Sequence, residues 1–175
     1  CEIMGPTYLH LNNTEQARIY ASIIKNANIC AKTVSDASYI IGMTYLASDS
    51  EKSIQYFEES YAIAQTVGDE EIEKESRLNR DFAKLYLGIK LDPDASSELL
   101  AYESDRKDVS SLLKSGTELF QGEDDDFLQL LKVIGDGSRE ELAQRFTEYF
   151  GESNYFFAGL IAKELKKFES ESFMA

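Results

Sequence analysis

The chain has 175 residues, of which 32 are acidic and 18 basic, giving a net charge of −14. That surplus excludes a general binder of nucleic acid or anionic lipid, because neither polyanion would be attracted to it. With 43 % apolar and 29 % charged residues the chain is a folding one rather than a disordered one, and it is long enough to need no metal or disulfide staple.

Apolar residues recur at three- and four-residue spacings, and period-two alternation is nearly absent, so the chain reads as all-α. The first helix is expected over 2–11 and the second over 14–27, opened by Asn13 or Thr14 ahead of Glu15 and Gln16. A third follows over 34–47. Ser50 ahead of Glu51 opens a fourth over 50–66, and Asp69 ahead of Glu70 and Glu71 opens a fifth over 70–90. Helices are then expected over 95–103, 108–120 and 124–134, over 138–150 behind Ser138, and over 153–168. Each marker supplies an N-cap oxygen or a negative charge where free N–H groups and the positive dipole end lie. Gly68, Gly122, Gly135, Gly137 and Gly151 punctuate the gaps.

The helices pair, and the pairs repeat. Gly5, Tyr8 and Ala17 recur as Gly42, Tyr45 and Ser53, at offsets of 37, 37 and 36 residues. A tetratricopeptide (TPR) repeat of about 34 residues carries small and aromatic residues at such places. Gly42 lets two helices approach, Ser53 is the small contact and Phe57 the aromatic that follows. Phe82, Ala83 and Tyr86 repeat Ile41, Gly42 and Tyr45 more weakly. A last hairpin runs from Leu142 to Leu165. The expected architecture is a single domain over 1–175 of TPR-like hairpins, wound as a right-handed superhelix.

The stretch from Leu11 through Ile41 and Gly42 to Phe57 resembles the C-terminal repeat region of the arbitrium (AimR-type) receptors of temperate Bacillus phages. Glu148-Tyr149-Phe150-Gly151-Glu152-Ser153-Asn154, continuing to Glu164-Leu165-Lys166-Lys167, is similar to the last repeat of that family. The resemblance spans nearly the whole chain and rests on hairpin order, loop lengths and short matches. It implies a regulator with an upstream DNA-binding helix-turn-helix, followed by a repeat region that binds a short secreted peptide, dimerises, and controls lysis against lysogeny. This chain would be the peptide-sensing, dimerising part. The alternative is a TPR-like protein–protein interaction module of a prophage paralogue with no small peptide. Two departures bear on the ligand: the family's asparagine after the repeat glycine is here Met43, and the chain ends at Phe173-Met174-Ala175 without a further leucine-rich helix.

In the helix expected over 70–90, Arg77, Arg80 and Lys84 share one face, beside the packing face of Leu78, Phe82, Leu85 and Ile89. In repeat register they match Asp36, Tyr39 and Met43, positions that line a solenoid's inner groove. The stripe therefore reads as an anchor for a peptide carboxylate, and reversing the charge of Arg80 is expected to leave stability nearly unchanged. Asn79 and Asn154 offer amides to a peptide backbone, although a capping asparagine explains Asn154 as well. Phe156, Leu160 and Leu165, widened by Phe157, Ile161 and Phe168, are expected to form a homodimer surface, so that Leu160→Glu yields a monomer.

Asp92, Asp94, Ser96 and Glu103 imitate calcium-loop spacing, but Ser97 replaces the obligatory glycine, and Asp92-Pro93-Asp94 reads better as a turn. Glu123-Asp124-Asp125-Asp126 reads as a helix start. His10 is the only histidine, and no catalytic or phosphate-binding motif is present, so neither an enzyme nor a cofactor is expected. Cys1 and Cys30 make no disulfide framework. With no apolar run of about 20 residues and no signal peptide, a cytoplasmic fragment of a longer protein is expected, one that does not itself bind DNA.

Overall fold

The computed structural model describes residues 4–104, 126–136 and 138–172. The expected helix over 108–120, Gly122, Gly137 and the acidic run 123–125 lie outside the described residues, as does the Phe168 side chain. The described residues form helices joined by turns: α1 (Met4–His10), α2 (Thr14–Ala27), α3 (Ala31–Tyr45), α4 (Ser50–Val67), α5 (Glu70–Leu87), α6 (Ser97–Ser104), α7 (Asp126–Asp136), α8 (Arg139–Gly151) and α9 (Tyr155–Ser172). The fold is all-α and TPR-like. The chain divides into two compact units, Cys1–Leu9 with Asn13–Ser96, and His10–Asn12 with Ser97–Ala175.

Helix starts follow the chemical markers, with small shifts. The Asn13 side chain accepts from the Gln16 N–H, that of Asp69 from Glu71 and Ile72, and that of Ser138 from Glu141. The fourth helix starts at Ser50 as expected, but its cap is the residue before: Asp49 accepts from the Lys52 N–H at 3.1 Å. Helix α3 starts three residues earlier than expected. Asn28, left-handed at φ 47°, closes α2 by donating to the Ile24 and Lys25 carbonyls, which frees the chain to restart at Ala31. Helix α5 stops at Leu87 because Gly88 takes the left-handed conformation.

In the first unit the repeat has a physical counterpart in each hairpin. Tyr8 stacks on Tyr20 with ring centroids 5.4 Å apart, and Tyr45 stacks on Tyr56 at 6.1 Å, both pairs nearly parallel. The α3–α4 contact is closest at Gly42. A Cβ there would lie 3.0 Å from the Phe57 ring and 3.3 Å from the Ser53 carbonyl, and the Ser53 hydroxyl donates to the Gly42 carbonyl at 3.0 Å. Further along, the Ser35 and Ser60 hydroxyls each donate to the other's carbonyl at 2.9 Å, so two buried polar side chains are satisfied across the same seam. Gly42→Val should therefore lower stability by about 1–3 kcal/mol, the usual penalty of overpacking, since the Phe57 ring has no exposed side to retreat to. Thermal unfolding followed by circular dichroism would measure it; an unchanged midpoint would show that the seam can widen.

In the second unit α9 packs against both α8 and α7. The Tyr102 hydroxyl of α6 donates to the Leu131 carbonyl at 3.0 Å, tying α6 to α7. Here the expected dimer surface requires correction. Phe156, Phe157, Leu160 and Ile161 are buried within the unit, and Leu165 is half-buried. The apolar band of α9 is wider than one neighbouring helix can cover because two neighbours cover it: Phe127 of α7 and Tyr149 of α8 both pack on Phe157. Leu160→Glu would bury a charge and unfold the unit rather than separate a dimer. Asn154 is a cap: its side chain accepts from the Phe157 N–H and donates to Asp126 at 3.1 Å.

Candidate functional site

A cleft of about 560 Å³ opens in the first unit, where α1, α3 and the beginning of α5 come together over α2. Alternate hairpins bring these first helices side by side, as TPR-like stacking requires. Its apolar wall is made of Pro6, Ala21, Ile24, Ala37 and Ile40. The polar groups are Lys32, Thr33, Asp36 and Tyr39 on α3 and Glu75 on α5. Helical spacing accounts for the α3 set, since residues 32, 33, 36, 37, 39 and 40 share one side of a helix. Tyr39 is held by an edge-to-face contact with Phe57, the residue that packs on Gly42. Lys32 and Asp36 pair at 2.9 Å, each a little over half exposed. The hydrogen bond to Asp36 raises the Lys32 pKa above that of a free lysine; burial opposes the rise, and the charges of Asp36 and Glu75 add to it.

The basic residues of α5 lie in a different environment. Arg80 and Lys84 are buried, with side chains 4 % and 6 % exposed. Arg80 pairs with Asp81 at 2.8 Å and with Asp92 and Asp94 at 3.4 Å each, and its guanidinium lies 4.5 Å from the centre of the Tyr61 ring. Lys84 pairs with Asp92 at 2.7 Å and with Glu58. Burial works against both cations, but the surrounding carboxylates outweigh it and hold both pKa values above the ordinary ones. Burial pushes the Asp81 carboxyl up, only partly countered by Arg80. The hydrogen bond from Lys84 holds Asp92 below the usual carboxylate range. The Asp92-Pro93-Asp94 turn, with Leu91 and Ala95 buried on either side, is thus fastened to the first unit by the cations of α5.

Of the expected groove residues, Asp36 and Tyr39 line the cleft. Met43 is buried in the core, Arg77 and Asn79 are half-buried, and none of the three lines the cleft. Arg80 and Lys84 pair with the chain's own carboxylates, which corrects their reading as a groove-lining anchor for a peptide carboxylate; of the charged residues of α5, Glu75 lines the cleft instead. Among the described residues no acidic, histidine or cysteine cluster is arranged to hold a metal ion, and no helix is long and apolar enough to cross a membrane.

A family model for AimR transcriptional regulator-like proteins matches residues 1–167. The chain belongs to the AimR transcriptional regulator-like family. No curated protein and no solved structure matches it. Within this AimR-like chain, Lys32, Thr33, Pro6 and Glu75 are cleft residues that sequence reasoning missed. Lys32 left a signal: a lysine in the first turn of α3 opposes the helix dipole and sits four residues before Asp36.

Proposed function

We propose that this AimR-like chain is the peptide-sensing region of a transcriptional regulator, and that the peptide binds in the cleft bounded by α1, α3 and α5. The observation that carries this is the cleft itself. It is bounded, of a volume that small ligands fill, and apolar with a few polar groups placed around it. Its lining comes from α1, α2, α3 and α5, so a ligand lying in it would touch all four helices and bias their packing. Family membership supports the regulatory part. The net charge of −14 supports assigning DNA contact to another part of the protein. Self-association through α9 at Leu160 is not part of the proposal, because that residue is core.

The test is selection of a random hexapeptide library on the 175-residue chain, followed by Thr33→Trp. Thr33 is a half-buried lining residue, and an indole there fills the cleft without entering the core. Enriched peptides should lose at least about tenfold in affinity on Thr33→Trp, a difference of roughly 1.4 kcal/mol. No enrichment, or enrichment indifferent to Thr33→Trp, would remove the peptide from this cleft.

A further inference from the structure

We infer that the ligand of the cleft presents an aromatic side chain, which takes beside Gly5 and Ala21 the place that the Phe57 ring takes beside Gly42 in the following hairpin. The inference rests on the peptide-binding reading above and deepens it by naming the side chain that the site is shaped for.

The register between the two hairpins carries it. Tyr20 on α2 and Tyr56 on α4 are 36 residues apart, and each stacks on a tyrosine of the helix before it, Tyr8 at 5.4 Å and Tyr45 at 6.1 Å. The two stacks fix which residues are equivalent. The residue after each second tyrosine then holds the same place in the repeat: Phe57 in the second hairpin, Ala21 in the first. In the second hairpin the Phe57 ring is wholly buried, lies against Gly42 and meets Tyr39 edge-on. In the first, among the described residues, no ring covers the repeat glycine. A Cβ on Gly5 would meet the Ile40 Cγ2 at 3.6 Å and the Ala17 carbonyl oxygen at 3.9 Å, both ordinary contacts. The first hairpin thus matches its glycine with alanine where the second matches it with phenylalanine. The cleft opens at that place, with Gly5, Ala21 and Ile40 in its lining. Leaving a helix seam unfilled costs stability, and a local loss of that kind is expected where function holds it. The surroundings suit a ring. Pro6, Ile24, Ala37 and Ile40 are apolar, and a space of about 150 Å³ between aliphatic side chains accepts benzene. The cleft, at about 560 Å³, leaves room for the backbone that carries the ring.

The probes are three end-blocked pentapeptides, acetyl-Gly-Ala-Xaa-Ala-Gly-amide, with Xaa phenylalanine, leucine or alanine, titrated into the full chain and followed by amide shifts at Thr33, Ala37 and Tyr39. The native chain should bind the phenylalanine peptide about ten- to a hundredfold tighter than the alanine one, with leucine between them. Ala21→Phe supplies the ring from within. It should erase the ranking and raise the thermal midpoint by a few degrees, as filling a cavity does. Ala21→Leu should do the same in part, and keeps the test open if the larger ring does not fit under α1. If the peptides shift the cleft amides but leucine equals or exceeds phenylalanine, or if the ranking survives both substitutions, the aromatic place is wrong and the cleft reading stands. If no peptide shifts these amides, the cleft reading falls and takes the inference with it.

Discussion

Arg80→Ala should cost the first unit about 3–5 kcal/mol, the penalty for stranding a buried partner of the opposite charge. The stranded group is Asp81, whose side chain is 1 % exposed and whose Oδ2 already has no hydrogen-bond partner. Asp92 and Asp94 would also lose a cation that helps hold their turn. The loss should depend on pH with a definite sign. Burial raises the Asp81 pKa in the folded chain above its unfolded value, and removing Arg80 raises it further. The folded state then binds the proton more tightly than the unfolded one, so the variant's deficit should shrink as the pH falls toward the ordinary carboxylate range. Asp92 acts in the opposite sense: its folded pKa is depressed, so its contribution is present above its unfolded value and lost as the pH falls through the folded one. Urea unfolding of Arg80→Ala and of Arg80→Met/Asp81→Leu separates the terms. The double variant should recover most of the loss, because no buried lone charge remains; Asp94, which also loses Arg80, is half exposed. A loss below about 1 kcal/mol in Arg80→Ala would put the cluster in the class of solvated surface pairs.

Phe57→Ala should be comparably severe, at about 3–5 kcal/mol, through an unfilled cavity. The ring has no exposed surface, covers Gly42 and braces Tyr39 edge-on. Removing it leaves a void between α3 and α4 that Gly42 has no side chain to fill. It also frees Tyr39, a wall of the cleft, so peptides selected on the native chain should bind more weakly to whatever fraction remains folded. Phe57→Leu keeps part of the volume and should fall between the two. An Ala variant within 1 kcal/mol of the native chain would mean that the seam collapses onto the gap, contrary to the close packing at Gly42.

The repeat was legible because its chemistry is local. A glycine, a tyrosine and a small residue at a near-constant offset predict where two helices meet, and Gly42, Ser53 and Phe57 meet there. Asp36 and Tyr39 were legible as cleft residues through the same register. The register failed on α5 for a physical reason. Helical spacing puts Arg80 and Lys84 beside Phe82 and Leu85, but it does not reveal that an acidic turn eight to fourteen residues later folds back to neutralise them. Asp92 and Asp94 carried that information as carboxylates following the basic stripe of Arg77, Arg80 and Lys84; read as a turn alone, they lost it. The burial of Leu160 was hidden in the same way, because the amphipathic width of a helix counts its neighbours without distinguishing a third helix from a second subunit.

Helix α5 carries Glu75 at the cleft and Lys84 at the ion cluster, nine residues apart along one uninterrupted rod of roughly 13–14 Å. Such a rod neither stretches nor bends easily over that length, so a push at one end arrives at the other as a translation. What stands there is a clasp of ion pairs set beside the buried packing residues Phe82 and Leu85. Interdigitated side chains resist a slide of an ångström, whereas a lysine and an arginine among four carboxylates can exchange partners and keep their charges matched. One helix therefore joins a wall of the cleft to the clasp that holds the Asp92–Asp94 turn, so the two share a single rigid support.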